Sequence, residues 1–411
     1  MAKLLGTLPS DLKESNRRRI LDAFYKKKVL SALEIAADTG ISRQTVKKCI
    51  DYFLSVGVLE KCGKGDSTVN GGKKPDLYQL HSGIRVLSVC LHHDNLELSL
   101  FSVTGVRLAF WASQKLVFNS LDSVMQCLHE GWQCIAKENT EGSVLALGMS
   151  APLGFTQDYH VVNATPFPVW PKKDYCRDIR EELRVAVPGT EFVVLSPDGT
   201  AAGASLLQRD YDTFAHSTCV TFYTASGIGG SVFKDSVAQS GRLAPLGSLG
   251  HMIVEPRDPE ACFCGNHGCL ERQVSIARLR QHISRDPEAY KDSIVGNIPV
   301  EQLTYGDVFR GSHAGDWLCQ KESQRCAQYF AIAVNNLILS IWPDYVVFQG
   351  EFAGADEIFR KELQSRVSSM KMLTTYEGRI CYDNYPLNES EALGIFYRTR
   401  ETLLENLVNV D

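Results

Sequence analysis

Three thiols and an imidazole are spaced so that one metal ion could bind them all. The segment HMIVEPRDPEACFCGNHGCLE, residues 251–271, carries His251, Cys262, Cys264 and Cys269. Thiolates this close, with a histidine at the head of the segment, suit a tetrahedral zinc site with three sulfur ligands and one nitrogen. Gly265 and Gly268 let the backbone turn tightly enough to aim the sulfurs inward. His267 lies inside the same knot and competes with His251 for the nitrogen position. Four protein ligands leave no open position for water, so the expected role of zinc is structural.

The chain that must position this knot has 411 residues, enough for two or three domains. With 44% hydrophobic and 22% charged residues its composition is ordinary for a globular protein. No apolar run is long enough to span a bilayer, the N-terminus lacks a secretory signal, and the remaining cysteines show no disulfide-like framework. These features predict a reducing, cytoplasmic setting with no membrane partner. Charge is uneven: residues 1–80 hold 15 Lys and Arg against 9 Asp and Glu, whereas the rest holds 28 against 39. A basic head on an acidic body points to an anionic partner for the head alone.

The head reads as three helices and a wing. Residues 11–28 place Ile20, Leu21 and Phe24 on one face. Residues 32–39 form a short helix with Leu33, Ala36 and Ala37 inward, ended by Gly40. Ser42 caps a third helix over 43–55, with Val46, Ile50 and Phe53/Leu54 as its apolar stripe. This is the helix–turn–helix arrangement that presents a recognition helix to the major groove of double-stranded DNA. Ser42, Arg43, Gln44 and Thr45 lie on its first turn, where Arg and Gln can pair bidentately with base edges. Lys47 and Lys48 suit phosphates. Residues 57–80 read as two strands around a Gly- and Lys-rich tip that includes Lys73 and Lys74, a wing able to enter a minor groove.

In the body, strand and helix patterns alternate, which indicates α/β architecture. Residues 85–103 form a hairpin with Asp94-Asn95 at the turn, residues 120–137 a helix, and 143–150, 192–196, 217–223 and 345–349 strands. A helix over 321–341 has Phe330, Ile332, Val334 and Leu337 on its apolar stripe, and an amphipathic helix over 389–407 closes the chain. No internal repeat is legible. The glycine-rich loop at 224–231 is read equally well as a phosphate- or sugar-binding loop and as a tight hairpin.

The motif CFCGNHGCLE, preceded by LGSLGH at 246–251, closely resembles the signature of the ROK family of repressors, open reading frames and sugar kinases. The order of winged helix, α/β body and cysteine cluster resembles its sugar-responsive repressor branch. The resemblance spans nearly the whole chain. It implies a winged helix-turn-helix followed by a two-lobed actin/hexokinase-like (ribonuclease H-like) body with a sugar cleft between the lobes. The domain boundaries so expected are 1–80 for the head, 81–195 for the first lobe with helix 389–411 packing back on it, and 196–388 for the second lobe. It implies zinc held by His251, Cys262, Cys264 and Cys269, and sugar contacts from His251, Glu271 and Asp198, the last in the turn Ser196-Pro197-Asp198-Gly199. Asn163, in NATPFPVW, sits where the family has a sugar-loop asparagine.

Departures from the family pattern narrow the function. The kinase phosphate loop DxGxT is replaced by Leu91-His92-His93-Asp94-Asn95, which lacks both glycine and hydroxyl donor. Ser248 replaces a sugar-binding glutamate, Pro197 an asparagine, and the nucleotide-side glycines shrink to Gln349-Gly350-Glu351. No kinase activity is expected. The expectation is a DNA-binding regulator, a repressor of carbohydrate-metabolism genes, that reads a sugar or sugar phosphate. It would act as a homodimer or homotetramer on a palindromic operator. A regulator with a degenerate cleft, controlled by a phosphotransferase-system protein, is the alternative.

Overall fold

The computed structural model describes residues 9–66, 74–115, 118, 120–138, 142–153, 179–225, 227–239, 248–258, 260–369 and 376–409. The head comprises α1 (Pro9–Lys26), β1 (Leu30–Ser31), α2 (Ala32–Thr39), α3 (Arg43–Ser55), β2 (Leu59–Lys64) and β3 (Asp76–Leu80). Local chemistry sets its boundaries. Ser31 and Glu34 form a reciprocal capping box at the start of α2. Gly40 ends that helix at φ 66°, a left-handed conformation that costs glycine nothing. The Ser42 hydroxyl then accepts the Thr45 N–H and starts α3. Strand β3 pairs antiparallel with both β1 and β2, making a three-stranded sheet.

Two apolar stripes need correction. In α2 the buried residues are Ile35 and Thr39, whereas Leu33 is 43% exposed and Ala37 also faces outward. Ile35 and Thr39 sit at i and i+4 on one face, about a third of a turn around the helix axis from the face of Leu33, Ala36 and Ala37 at 3.6 residues per turn. The Thr39 hydroxyl hides its polarity by donating to the Ile35 carbonyl at 2.6 Å.

The first lobe carries β4 (Ile84–Leu91), β5 (Leu96–Ser102), β6 (Arg107–Ala112), α4 (Leu121–Glu138), β7 (Ser143–Ala151), α5 (Arg180–Ala186) and β8 (Phe192–Pro197). The second begins with α6 (Asp198–Arg209), α7 (Tyr211–Phe214), β9 (Thr218–Thr224), β10 (Ile228–Lys234) and β11 (Val237–Ala238). It continues through α8 (Leu270–Val274), α9 (Ile276–Ser284), α10 (Pro287–Asp292), α11 (Tyr305–His313), α12 (Trp317–Ile341), β12 (Tyr345–Gly350), α13 (Glu357–Ser368) and β13 (Arg379–Asp383). Helix α14 (Leu387–Asn409) follows.

The sheets run β6-β5-β4-β7-β8 and β11-β10-β9-β12-β13. In each, a three-stranded antiparallel meander is extended by two parallel strands. The body is therefore one topology used twice, a repeat not legible in the residues. The same topology can be filled by unrelated side chains provided each strand stays apolar, so duplication outlives sequence similarity.

In α12 the stripe is Phe330, Val334 and Leu337, while Ile332 is 42% exposed. Phe330 and Phe348 meet edge to face with centroids 5.1 Å apart, inside a cluster that includes Phe222, Phe352 and Phe359. A second cluster is continuous from the head into the first lobe. It joins Ile20, Leu21, Phe24 and Phe53 to Ile84, Val86 and Phe101, and to Ile395, Phe396, Leu403 and Leu404 of α14. The closing helix thus fills the space between head and body. Gly394 permits its close packing, because a Cβ there would collide with the Ala201 carbonyl of α6.

Candidate metal centre and ligand cleft

The four residues of the cysteine motif converge. One ligand atom each from His251, Cys262, Cys264 and Cys269 lies within 4.8 Å of the others. The Cys262 sulfur is 3.6 Å from His251 Nδ1, and the Cys264 and Cys269 sulfurs are 3.5 Å apart. Cys262 and Cys269 are buried, His251 half-buried and Cys264 exposed. His267 is exposed and outside the group, so His251 is the imidazole that converges with the three sulfurs. Gly268 adopts φ 70° and lies so close to the Glu255 carbonyl that no side chain fits. His251 stands edge-on to Phe263 at 4.9 Å. Three soft thiols and one imidazole at these separations fit a tetrahedral metal site.

The motif also reaches toward the cleft. Glu271, in the first turn of α8, accepts the Ile228 N–H at 2.7 Å. That N–H belongs to the glycine-rich segment, which is the turn of the β9–β10 hairpin with Thr224 opposite Ile228. Of its two readings, the hairpin describes the backbone, and the hairpin serves as the partner of Glu271.

The cleft is a cavity of about 470 Å³. It is lined from the first lobe by His92, His93, Asp94, Asn95 and Glu97, from the second by Asp198 and Tyr223, and from α14 by Leu387, Asn388 and Glu391. The His92–Asn95 turn therefore shares one cavity with Asp198. Asp198 stands in the first turn of α6, where its Oδ1 accepts the Gly199 N–H at 2.6 Å. Desolvation, reinforced by the charge of Glu271 and opposed by the Gly199 bond, pushes its carboxyl up to about 7. Burial holds His92 and His93 below the usual histidine range, against the pull of Glu97 and Asp94 on His92 and of Asp94 on His93.

Glu391 was not legible as a site residue. It is 1% exposed. It accepts a hydrogen bond from the Tyr223 hydroxyl and another from Ser150 at 3.5 Å, and its Oε2 lies 3.9 Å from His92 Nδ1. Burial, then the charge of Asp198, raise its carboxyl to about 8, opposed by the Tyr223 bond. In the structure Glu391, Ile395 and Thr399 follow at i+4 spacing on the buried stripe of α14, but two of the three are polar, so the sequence shows no apolar stripe there. Asn163 and Lys73 lie outside the described residues.

On the head, Arg43, Gln44, Lys47 and Lys48 are all exposed on α3, and Lys74 is exposed just before β3. Ser42 and Thr45 are committed to the helix start: their hydroxyls bond each other at 2.9 Å while Ser42 also caps Thr45. None of the described helices is long and apolar enough to cross a membrane.

The ROK family model matches residues 117–394. The xylose repressor of Caldicellulosiruptor bescii is 20% identical over 371 residues, covering 89% of this chain and 90% of that protein. The glucokinase of Thermotoga maritima is 29% identical over 300 residues, covering 72% and 91%. A solved ROK family transcriptional regulator, a homologue of the E. coli MLC protein, superimposes with a TM-score of 0.77 at 17% identity, covering 97% of this chain and 99% of that one. With a matching fold along almost its full length and the family model spanning most of its body, this chain belongs to the ROK family.

Proposed function

We propose that this protein is a DNA-binding transcription regulator, a repressor of carbohydrate-metabolism genes, whose cleft reads a sugar or sugar phosphate. One observation carries the reading: α3 presents Arg43, Gln44, Lys47 and Lys48 to solvent on a winged helix that is packed into the body. Arg43 and Gln44 are suited to base edges and Lys47, Lys48, Lys73 and Lys74 to phosphates. The head spans 1–80 and the lobes 81–195 and 196–388. The repressor branch of the relatives, the xylose repressor above included, supports the same reading.

In this proposal Asp198, Glu271, His251 and Asn163 contact the effector, and zinc on His251, Cys262, Cys264 and Cys269 stiffens the loop that carries Glu271. Two protomers place two recognition helices about one DNA turn apart on a palindromic operator. The effector acts by binding one arrangement of the lobes better than the other. Phosphoryl transfer is disfavoured by His92–Asn95, a turn with neither glycine nor hydroxyl where phosphates would be cradled, although glucokinases share the fold.

Selection of bound duplexes from a random library by the full-length protein tests the reading. Enrichment of a palindrome whose binding weakens or strengthens with a monosaccharide is the expected result. No enrichment, together with ATP-dependent sugar phosphorylation at about 1 s⁻¹ or faster, would overturn it in favour of a kinase.

A further inference from the structure

Glu391 is the side chain on which three parts of the body meet. Tyr223 comes from β9 of the second lobe, Ser150 from β7 of the first, and His92 from the turn after β4. All three approach one carboxylate at the edge of the cavity. The helix that bears it continues for 23 residues in total, about 34 Å at 1.5 Å per residue. Two turns along, Gly394 sits against the Ala201 carbonyl of α6, the helix that Asp198 begins. At the far end Leu403 and Leu404 enter the same apolar cluster as Ile20 and Leu21 of α1. Arg18 of α1 pairs there with Glu401 at 3.0 Å and Glu405 at 3.1 Å. Arg17, one residue earlier, lies over the Tyr52 ring of α3 at 3.6 Å. A continuous, tightly packed rod thus joins the cavity to the helix that braces the recognition helix.

We propose that Glu391 is a ligand-reading residue of the cleft and that α14 carries its state to Arg18 and the winged helix. A ligand group that takes the Glu391 carboxyl from Tyr223 or Ser150 loosens one lobe from the helix. Because α14 is packed along its length, the displacement reappears where Leu403, Glu401 and Glu405 meet α1. Two packed arrangements of one rigid element are what coupling between distant sites requires. This inference rests on the regulator reading for its biological meaning, but the coupling itself needs neither DNA nor sugar to be measured.

Hydrogen–deuterium exchange on the full chain tests it. Glu391→Ala is expected to change exchange across α1 and α3 by at least about fivefold, the lower end of allosteric coupling, while α11 and α12 stay at the wild-type rate. Glu391→Gln keeps an acceptor for Tyr223 and is expected to leave the head unchanged. Arg18→Glu, which repels Glu401 and Glu405, is expected to remove the response of the head to Glu391→Ala, so that the two changes are not additive. Head exchange that is identical in wild type and Glu391→Ala, or effects that simply add, would overturn the proposal. If Glu391→Ala does not fold, Arg18→Glu alone decides: coupling is reciprocal, so exchange at residues 92–96 and 387–395 must shift, and unchanged rates there refute it. A protein that shows the coupling yet selects no operator would refute the regulator reading and leave this one standing.

Discussion

Glu271 Oε2 accepts the backbone N–H of Ile228 at 2.7 Å, which ties the residue two places beyond the last cysteine to the β9–β10 turn. Gly227 makes room for it: a Cβ at that position would fall 2.6 Å from Glu271 Oε2. Removing the carboxylate leaves the Ile228 N–H without this partner. Glu271→Ala is expected to lower unfolding free energy by about 1–3 kcal/mol, read as a lower midpoint in urea. Glu271→Gln, which retains an acceptor oxygen, is expected to lose less.

The cysteine knot predicts a metal content. Purified protein is expected to carry zinc at one ion per cluster by elemental analysis, and Cys264→Ser to lose it. Cys264 is the exposed member of the set, so the serine itself disturbs little packing. The thermal midpoint is then expected to fall by more than about 5 °C, at about 2–4 °C per kcal/mol for a domain of this size. Full retention of zinc by Cys264→Ser would remove that residue from the site.

The cleft carboxyls predict a direction of pH dependence. Asp198 is raised to about 7 and Glu391 to about 8, whereas unfolded carboxyls titrate near 4. Between those values the folded protein binds more protons than the unfolded chain, so these two groups make stability fall as pH rises. Their stabilising contribution is complete below about pH 4 and lost as pH passes about 7 to 8. Glu391→Gln is expected to flatten this decline in melting curves taken from pH 5 to about 9. An unchanged slope would show that Glu391 is not protonated in the native cleft.

Base reading and phosphate binding predict different losses on α3. Arg43→Ala is expected to cost about 1–3 kcal/mol on the selected operator and little on random duplex. Lys47→Ala is expected to weaken binding to both and to reduce the slope of log affinity against log salt by about one. Fluorescence anisotropy on the two duplexes at several salt concentrations separates the two. Equal loss on both duplexes for Arg43→Ala would assign that residue to the backbone instead.

Local rules were sufficient for much of this chain. Ser42 as a cap, Gly40 as a left-handed stop and the cysteine spacing act over a few residues, so α3 and the Cys/His cluster were legible from the residues alone. The choice of His251 over His267 was not local. It turns on which imidazole the fold of residues 251–271 directs toward the sulfurs, and that depends on Gly268 passing against Glu255. The rotation of α2 likewise depends on what α1 and α3 place beside it, which is why Ile35 displaced Leu33 from the core. Glu391 was hidden for the same reason. In the sequence it is one polar residue in a helix of mixed pattern; only docking of α14 between two lobes turns it inward, onto Tyr223, Ser150 and His92. Short-range backbone chemistry can be written into neighbouring residues, but a carboxylate that joins β9, β7 and the β4–β5 turn exists only once residues more than a hundred positions apart have packed.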